Sequence, residues 1–208
     1  EAARQTGICQ VVAGVDINPQ PINYNFPVFH NIADCEGEAD AVVDFSHHSA
    51  VEGLLRYSLS KSIPLVIATT GHTDEEKALI KSYSLKTPIF MSANMSIGVN
   101  LLIELAQKAA SLLGDNYDIE IIEKHHNQKL DAPSGTALMI ADGISASMEN
   151  KPEYVYDRHN ERKKRSIGEI GIHTVRGGNI IGEHEVLFAG RDEVITLSHS
   201  ASTREVFA

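Results

Sequence analysis

The chain has 208 residues, 42% of them hydrophobic and 22% charged, with a formal net charge of -10, enough for one large globular domain or two small ones. That charge argues against a nucleic-acid surface, which needs clustered basic residues, and no membrane partner is expected, since no apolar run approaches the roughly 20 residues that span a bilayer. The two cysteines, Cys9 and Cys35, form neither a disulfide framework nor a metal spacing, which suits a reduced, cytoplasmic setting.

Residues 1–7 read as the end of a helix entering a turn, and residues 205–208 stop abruptly after a strand pattern, so both ends are expected to lack native sequence. Between residues 9 and 91 short apolar strands alternate with helical stretches. Strands are predicted over 9–15, 39–45, 64–68 and 88–91, and helices over 49–61 and 73–86. Thr73 is the N-cap of the second helix, and Glu76 three residues on completes a capping box. Strands of this kind, without a polar face, imply parallel βαβ units covered by helices on both sides. Ligands in such sheets bind at the carboxyl ends of the strands. Those ends carry Asp16, Asp44-Phe45-Ser46, Ala68-Thr69-Thr70 and Ser92-Ala93-Asn94-Met95.

From residue 96 the pattern changes. Residues 97–113 form a strong amphipathic helix whose apolar face is expected to hold Leu101, Leu102, Leu105, Ala109, Leu112 and Leu113. A strand over 117–123 precedes a helix over 134–148. Residues 151–166, with Arg162-Lys163-Lys164-Arg165, read as a long exposed loop. Strands over 170–175, 182–188 and 194–199 follow. The fold class is therefore α/β: a Rossmann-type parallel-sheet domain over 1–95, and an α+β domain with an open mixed sheet over 96–208.

The chemistry concentrates in Glu123-Lys124-His125-His126-Asn127-Gln128-Lys129-Leu130-Asp131-Ala132-Pro133-Ser134-Gly135-Thr136-Ala137. Ser134 can cap a helix, and Gly135 lets a ligand approach the backbone. Free N–H groups at a helix start favour a carboxylate or phosphate. A histidine titrates near neutrality, which suits proton donation. If the strand continues, the rings of His125 and His126 lie on opposite faces. Lys129 adds a positive charge or a proton. A metal site is disfavoured: zinc spacing is missing and the lysine would repel the ion. Asp16 at a strand end can accept hydrogen bonds from an adenosine ribose and repel a 2′-phosphate, though aspartate is also common in turns. Arg176-Gly177-Gly178 reads as a turn. Two other readings stay open: a Schiff-base lyase using Lys129, which needs a desolvated amine, and a non-catalytic binding module.

The stretch from Glu123 to Ala137 closely resembles the signature of the dihydrodipicolinate reductase family. Thr69-Thr70-Gly71, Ala93-Asn94-Met95-Ser96-Ile97-Gly98-Val99-Asn100, Arg176-Gly177-Gly178 with Gly182-Glu183-His184, and Ala201-Ser202-Thr203-Arg204 resemble further family segments in the same order. The resemblance implies a Rossmann-type domain binding NADH or NADPH, and a second domain with the substrate site and a sheet used for homotetramer assembly. It implies reduction of a small dicarboxylate, the cyclic product of the preceding lysine-pathway step, to tetrahydrodipicolinate. His125 would be the acid/base residue and Lys129 a proton donor. His126, Lys129, Ser134, Gly135 and Thr136 would hold the substrate carboxylates. Ala68, Thr69, Thr70, Ser92, Ala93, Asn94 and Met95 would meet the cofactor. The family's amino-terminal glycine-rich loop and carboxy-terminal return segment are absent, and Ala68 stands where the family often has glycine. Asp16, with no basic neighbour, tilts the cofactor expectation towards NADH.

Overall fold

The computed structural model describes residues 7–19, 24–159, 162–203 and 206. The expected helix end over residues 1–6, Arg204 of the carboxy-terminal family segment, and residues 205, 207 and 208 lie outside the described residues. The chain divides into two compact units, Glu1–Ala93 and Asn94–Ala208.

In the first unit, β1 (Gly14–Val15) pairs in parallel with β2 (Val28–Phe29). The strand expected over 9–15 is confined to its last two residues, because β2 offers it a partner only there. A parallel three-stranded sheet follows, in the order β3 (Val42–Asp44), β4 (Leu65–Ile67), β5 (Ile89–Met91). Two helices connect these strands, α1 (Val51–Lys61) and α2 (Asp74–Ser84). The capping box at Thr73 and Glu76 is present in both directions. Val51, Leu54 and Leu55 of α1 and Ile80 of α2 pack on Leu65 and Ile67. Strand residues alternate between faces, so Val43, Val66 and Phe90, paired in one row, turn the other way. Val43 and Phe90 are 56% and 59% exposed. The expectation of helices on both faces is thus corrected: among the described residues, one face carries them.

In the second unit, α3 spans Ile97–Leu113, started by Ser96, whose hydroxyl accepts from the N–H of Val99. Then come β6 (Asp118–His125), α4 (Gly135–Ala146), β7 (Glu153–Val155), β8 (Glu169–Arg176), β9 (Glu183–Ala189) and β10 (Val194–Ser200). The sheet order is β10-β9-β6-β8-β7. Strands β6, β8 and β7 run parallel, while β9 is antiparallel to both β6 and β10. The two helices and one face of the sheet enclose the core, with Leu102, Ala106, Ile140, Ile144, Ile121, Ile172 and Phe188 at its centre.

The apolar face of α3 is the expected one only in part: Leu102, Ala109 and Leu113 meet the core, while Leu101, Leu105 and Leu112 do not. Val99, Leu102, Ala106 and Ala110 point inward, whereas Leu101 and Leu112 are 56% and 72% exposed. The two helices approach closely: a Cβ on Gly143 of α4 would lie 2.7 Å from the Ile103 side chain of α3, so bulk is excluded at that glycine. By length and composition alone Ile97–Asn116 is long and apolar enough to cross a membrane, with a mean hydropathy of 1.2, but Glu104, Lys108 and Asp115 interrupt it, so it is not an unbroken apolar run. Its inward face is nevertheless part of the core.

The described residues of 151–166 are also more ordered than expected. It contains β7, and Arg165 is not a solvated charge. It bonds to Asp118 at 2.7 Å, to Glu120 at 3.0 Å and to the carbonyls of Ile119 and Glu169. Arg158 joins Glu120 to the buried Glu169.

Candidate active site

Alternation along β6 puts Ile119, Ile121, Glu123 and His125 on the buried face. Two apolar residues and then two titratable ones therefore enter the core side by side. Glu123 has no exposed surface. A buried carboxylate is costly unless its oxygens are satisfied, and here they are saturated. Oε1 accepts from Ser134 N–H at 3.1 Å, from Thr174 Oγ1 at 3.1 Å and from Arg176 Nη2 at 2.8 Å. Oε2 accepts from Arg176 Nη1 at 2.8 Å and lies 2.5 Å from His125 Nδ1. Burial pushes this carboxyl up, but the bonds from His125 and the two-pronged Arg176 override it and hold the group down at about 2.

His184 of β9 is paired directly opposite Glu123 and is buried. Its ring meets that of His125 edge-on, with centroids 5.2 Å apart. Its Nε2 lies 3.2 Å from Ser134 Oγ. Burial, reinforced by His125, lowers its imidazolium from 6.5 to about 4, so His184 is neutral at pH 7.

Ser134 caps α4 as expected, its hydroxyl accepting from Ala137 N–H at 3.1 Å. Gly135 and Thr136 open the helix. Thr136 Oγ1 accepts from the side-chain amide of Asn94 at 2.8 Å, and Asn94 Oδ1 accepts from Ser96 N–H. Asn94 thereby ties the start of α3 to the start of α4. Lys129 sits in the turn after β6, where its N–H donates to the carbonyl of His126, and its ammonium pairs with Asp131 at 2.8 Å. An ion-paired ammonium is the reverse of the desolvated amine a Schiff base requires. Arg176 Nη2 also donates to the Asp131 carbonyl at 2.6 Å. Hydrogen bonds and ion pairs thus join Lys129, Asp131, Arg176, Glu123, His125, Ser134 and His184. The strand ends at His125, and His126 is half-buried beyond it.

Sequence reasoning singled out His125, Lys129 and Ser134 but not the chemical roles of Glu123, Thr174, Arg176 and His184. Arg176, read as a turn residue, ends β8 and grips Glu123 instead. A signal was present: Glu123 has the same strand parity as Ile119 and Ile121, and a carboxylate at an inward position needs a cation. No group of three or more His, Cys, Asp or Glu side chains among the described residues is arranged for a metal ion.

The first unit holds the remaining expected residues. Asp16, just beyond β1, is exposed and accepts from Asn18 N–H at 2.8 Å. Ala68, Thr69 and Thr70 follow β4, and Ser92 and Ala93 follow β5. Met95 is half-buried at the start of the second unit. Thr69 Oγ1 and Asp44 Oδ2 are buried without hydrogen-bond partners among the described residues. Buried polar atoms are rarely left so. Lying at the carboxyl ends of adjacent parallel strands, they fit the polar edge of a dinucleotide there.

A parallel-sheet unit of this kind, followed by an α+β unit with a buried histidine–carboxylate pair, has the architecture of a nicotinamide-dependent oxidoreductase. Residues 1–95 match the profile described as Dihydrodipicolinate reductase, N-terminus, and residues 98–208 the one described as Dihydrodipicolinate reductase, C-terminus. The chain belongs to the dihydrodipicolinate reductase family. It is 53% identical over 205 residues to the 4-hydroxy-tetrahydrodipicolinate reductase of Caldanaerobacter subterraneus subsp. tengcongensis, covering 99% of this chain and 80% of that one. It is 50% identical over 200 residues to the enzyme of that name from Clostridium novyi, covering 95% and 78%. Among solved structures, the dipicolinate-bound dihydrodipicolinate reductase from Paenisporosarcina sp. TG-14 superposes with a TM-score of 0.71 at 29% identity, over 99% of this chain and 84% of that one. The WlbA dehydrogenase from Bordetella pertussis, solved in complex with NADH and UDP-GlcNAcA, shares the fold, with a TM-score of 0.59 at 16% identity over 98% and 74%.

Proposed function

We propose that the protein reduces 4-hydroxy-tetrahydrodipicolinate to tetrahydrodipicolinate with NADH or NADPH, in the diaminopimelate route of lysine biosynthesis. The observation that carries this reading is the set of groups around Glu123: one carboxylate holds both His125 and the first N–H of the Ser134 helix start. The relatives named above, and the dipicolinate bound to one of them, supply the substrate class. Residues 1–95 serve the dinucleotide and residues 96–208 the substrate.

In balance, substrate, reduced nicotinamide and a proton give product, oxidised nicotinamide and water. The cofactor, when bound, supplies a hydride. Asp16, Ala68, Thr69, Thr70, Ser92, Ala93, Asn94 and Met95 are the residues proposed to hold it. For Asn94 the contact falls to its backbone, because Thr136 and Ser96 engage its side chain. Asp16 favours NADH, since its carboxylate would repel a 2′-phosphate. The ring hydroxyl leaves with a proton from the neighbouring ring carbon as water, and after hydride addition His125 delivers the proton from its ring, with Lys129 as the second donor, to the carbon where negative charge develops. His126, Lys129, Ser134, Gly135 and Thr136 hold the two carboxylates, through cation, hydroxyl and helix-start N–H groups. The open face of the second unit's sheet serves a homotetramer, and the enzyme works in the cytoplasm.

The test is oxidation of NADH and of NADPH, followed at the nicotinamide absorbance with the coupled lysine-pathway substrate. His125→Gln lowers kcat about 10²–10⁴-fold, the usual worth of a positioned general acid. Failure to oxidise either cofactor rejects the assignment, and an unchanged kcat in His125→Gln removes that residue from the mechanism.

A further inference from the structure

Glu123 is out of place for a structural residue. It lies at an inward position of the central strand, where the previous two inward residues are isoleucines. An isoleucine there would need no partners. The carboxylate instead takes five hydrogen bonds from four residues, drawn from β8, from the loop before α4 and from β6 itself. Buried ion pairs of this kind are often no more stabilising than apolar replacements of similar volume. Stability alone is therefore a poor reason for its presence, and its contact with His125 offers a better one.

The hydrogen-bond inventory fixes that contact. With its carboxyl held at about 2, Glu123 is ionised at neutral pH and can only accept. Each of its other four contacts is a donor. Nδ1 of His125, 2.5 Å from Oε2, must therefore carry a hydrogen and donate it. The neutral ring has only one N–H, so Nε2 is left as the nitrogen that accepts a proton and gives it back. Arg176 keeps the carboxylate from turning: its two prongs take one oxygen each, and a fork of this kind fixes the plane of its acceptor. Thr174 and the Ser134 N–H hold Oε1 from two further directions.

We infer that Glu123, clamped by Arg176, is the positioning residue for His125, fixing its ring in the Nδ1–H form so that Nε2 exchanges the proton of the reaction. The inference rests on the reading of His125 as the acid/base group. Glu123 itself touches no reacting atom. Because the same carboxylate holds the Ser134 N–H, the ring and the helix start are set relative to each other by one rigid group.

The experiment combines a spectroscopic and a kinetic measurement on the full chain. Long-range ¹H–¹⁵N spectra of the wild-type protein with a neutral ring report the His125 tautomer directly; the Nδ1–H form is expected. Glu123→Gln, His125→Gln and the double variant are then compared. Glu123→Gln alone lowers kcat about 10²-fold with KM within about threefold, inside the range for a positioned acid. Added to His125→Gln, it changes kcat less than about threefold, since residues acting as a unit are not additive. An Nε2–H ring in the wild type overturns the inference, as does an equal kcat loss from Glu123→Gln in both backgrounds. A normal kcat in His125→Gln removes the acid/base reading itself and is distinct from either result. If Glu123→Gln does not fold, the wild-type tautomer decides.

Discussion

Ser134 Oγ lies 3.2 Å from Nε2 of His184 while also accepting the N–H of Ala137. Those two contacts give the hydroxyl separate tasks. The bond from Ala137 caps α4. The histidine, neutral and buried, engages the hydroxyl from the β9 side. If Nε2 donates, the remaining Ser134 O–H is turned towards a ligand carboxylate. Ser134→Ala is expected to raise KM roughly tenfold, the loss of about one hydrogen bond to a charged group, with kcat within threefold. Loss of the cap lowers stability by about 1 kcal/mol. Steady-state kinetics and urea unfolding check the two effects separately; an unchanged KM beside a lowered stability would leave Ser134 a cap and nothing more.

His184 also sets a stability window in pH. The groups facing it are His125 and Glu123 from β6, His199 from β10 and Lys129 from the turn after β6. Burial lowers its imidazolium from 6.5 to about 4. Between those values the unfolded chain binds the proton and the folded chain does not, so stability falls as pH drops from about 6.5 to about 4 and then levels for this group. The full loss is roughly 3 kcal/mol at most. Glu123 acts lower. Its carboxyl is depressed from 4.5 to about 2, so its contribution is complete above 4.5 and fades only below that. Urea midpoints measured from pH 7 to pH 4.5 should therefore decline in the wild type and flatten in His184→Gln. A parallel decline in both would assign the slope to other groups.

Lys129 and Asp131 pair at 2.8 Å, with more than half of the aspartate side chain exposed. A dicarboxylate that needs Lys129 must compete with that partner. Exposed pairs are worth about 0.2–1 kcal/mol, so removing the competitor is expected to lower KM by at most about fivefold. Asp131→Asn keeps the backbone carbonyl that receives Arg176, so the clamp on Glu123 is left in place. KM measured at low and moderate salt checks this, because the gain shrinks as screening rises. A raised KM would mean that Asp131 orients the ammonium rather than competing for it.

The residues of the site nearest in sequence were the legible ones. His125, Lys129 and Ser134 fall within one short segment, and a proton carrier, a cation and a helix start can be read from type and spacing. The bounds of α3 were legible for the same reason: Ser96 and Gly114 punctuate it. Its buried face was only half legible, because apolar residues line more than one side and packing against α4 and the sheet decides between them. Glu123 and Arg176 stand 53 positions apart. Their meeting depends on β6 pairing with β8 in the register that sets Glu123 beside Thr174, and register is a property of the sheet rather than of either strand. Arg165 illustrates the same limit: a basic run looks solvated until Asp118 and Glu120 are placed beneath it.

Gly171 of β8 is paired beside Glu120 of β6 on the sheet face away from the helices. A Cβ at this glycine would fall 1.7 Å from Glu120 Oε2 and 2.6 Å from its Cδ. The carboxylate lies across the missing side chain, and there it gathers Arg158 at 3.0 Å, Arg165 at 3.0 Å and His173 at 2.7 Å. Gly171→Ala therefore acts less through the backbone than by displacing a carboxylate that holds Arg158, Arg165 and His173. A destabilisation of about 1–3 kcal/mol is expected, the range for adding a methyl group to a filled site. Glu120→Ala vacates the space and discards the ion pairs beforehand. In that background the alanine at 171 should cost much less, a non-additivity of about 1 kcal/mol or more. Unfolding free energies of the two single variants and the double variant measure it, and simple additivity would show that the glycine is required for its own conformation and not for the charge lying over it.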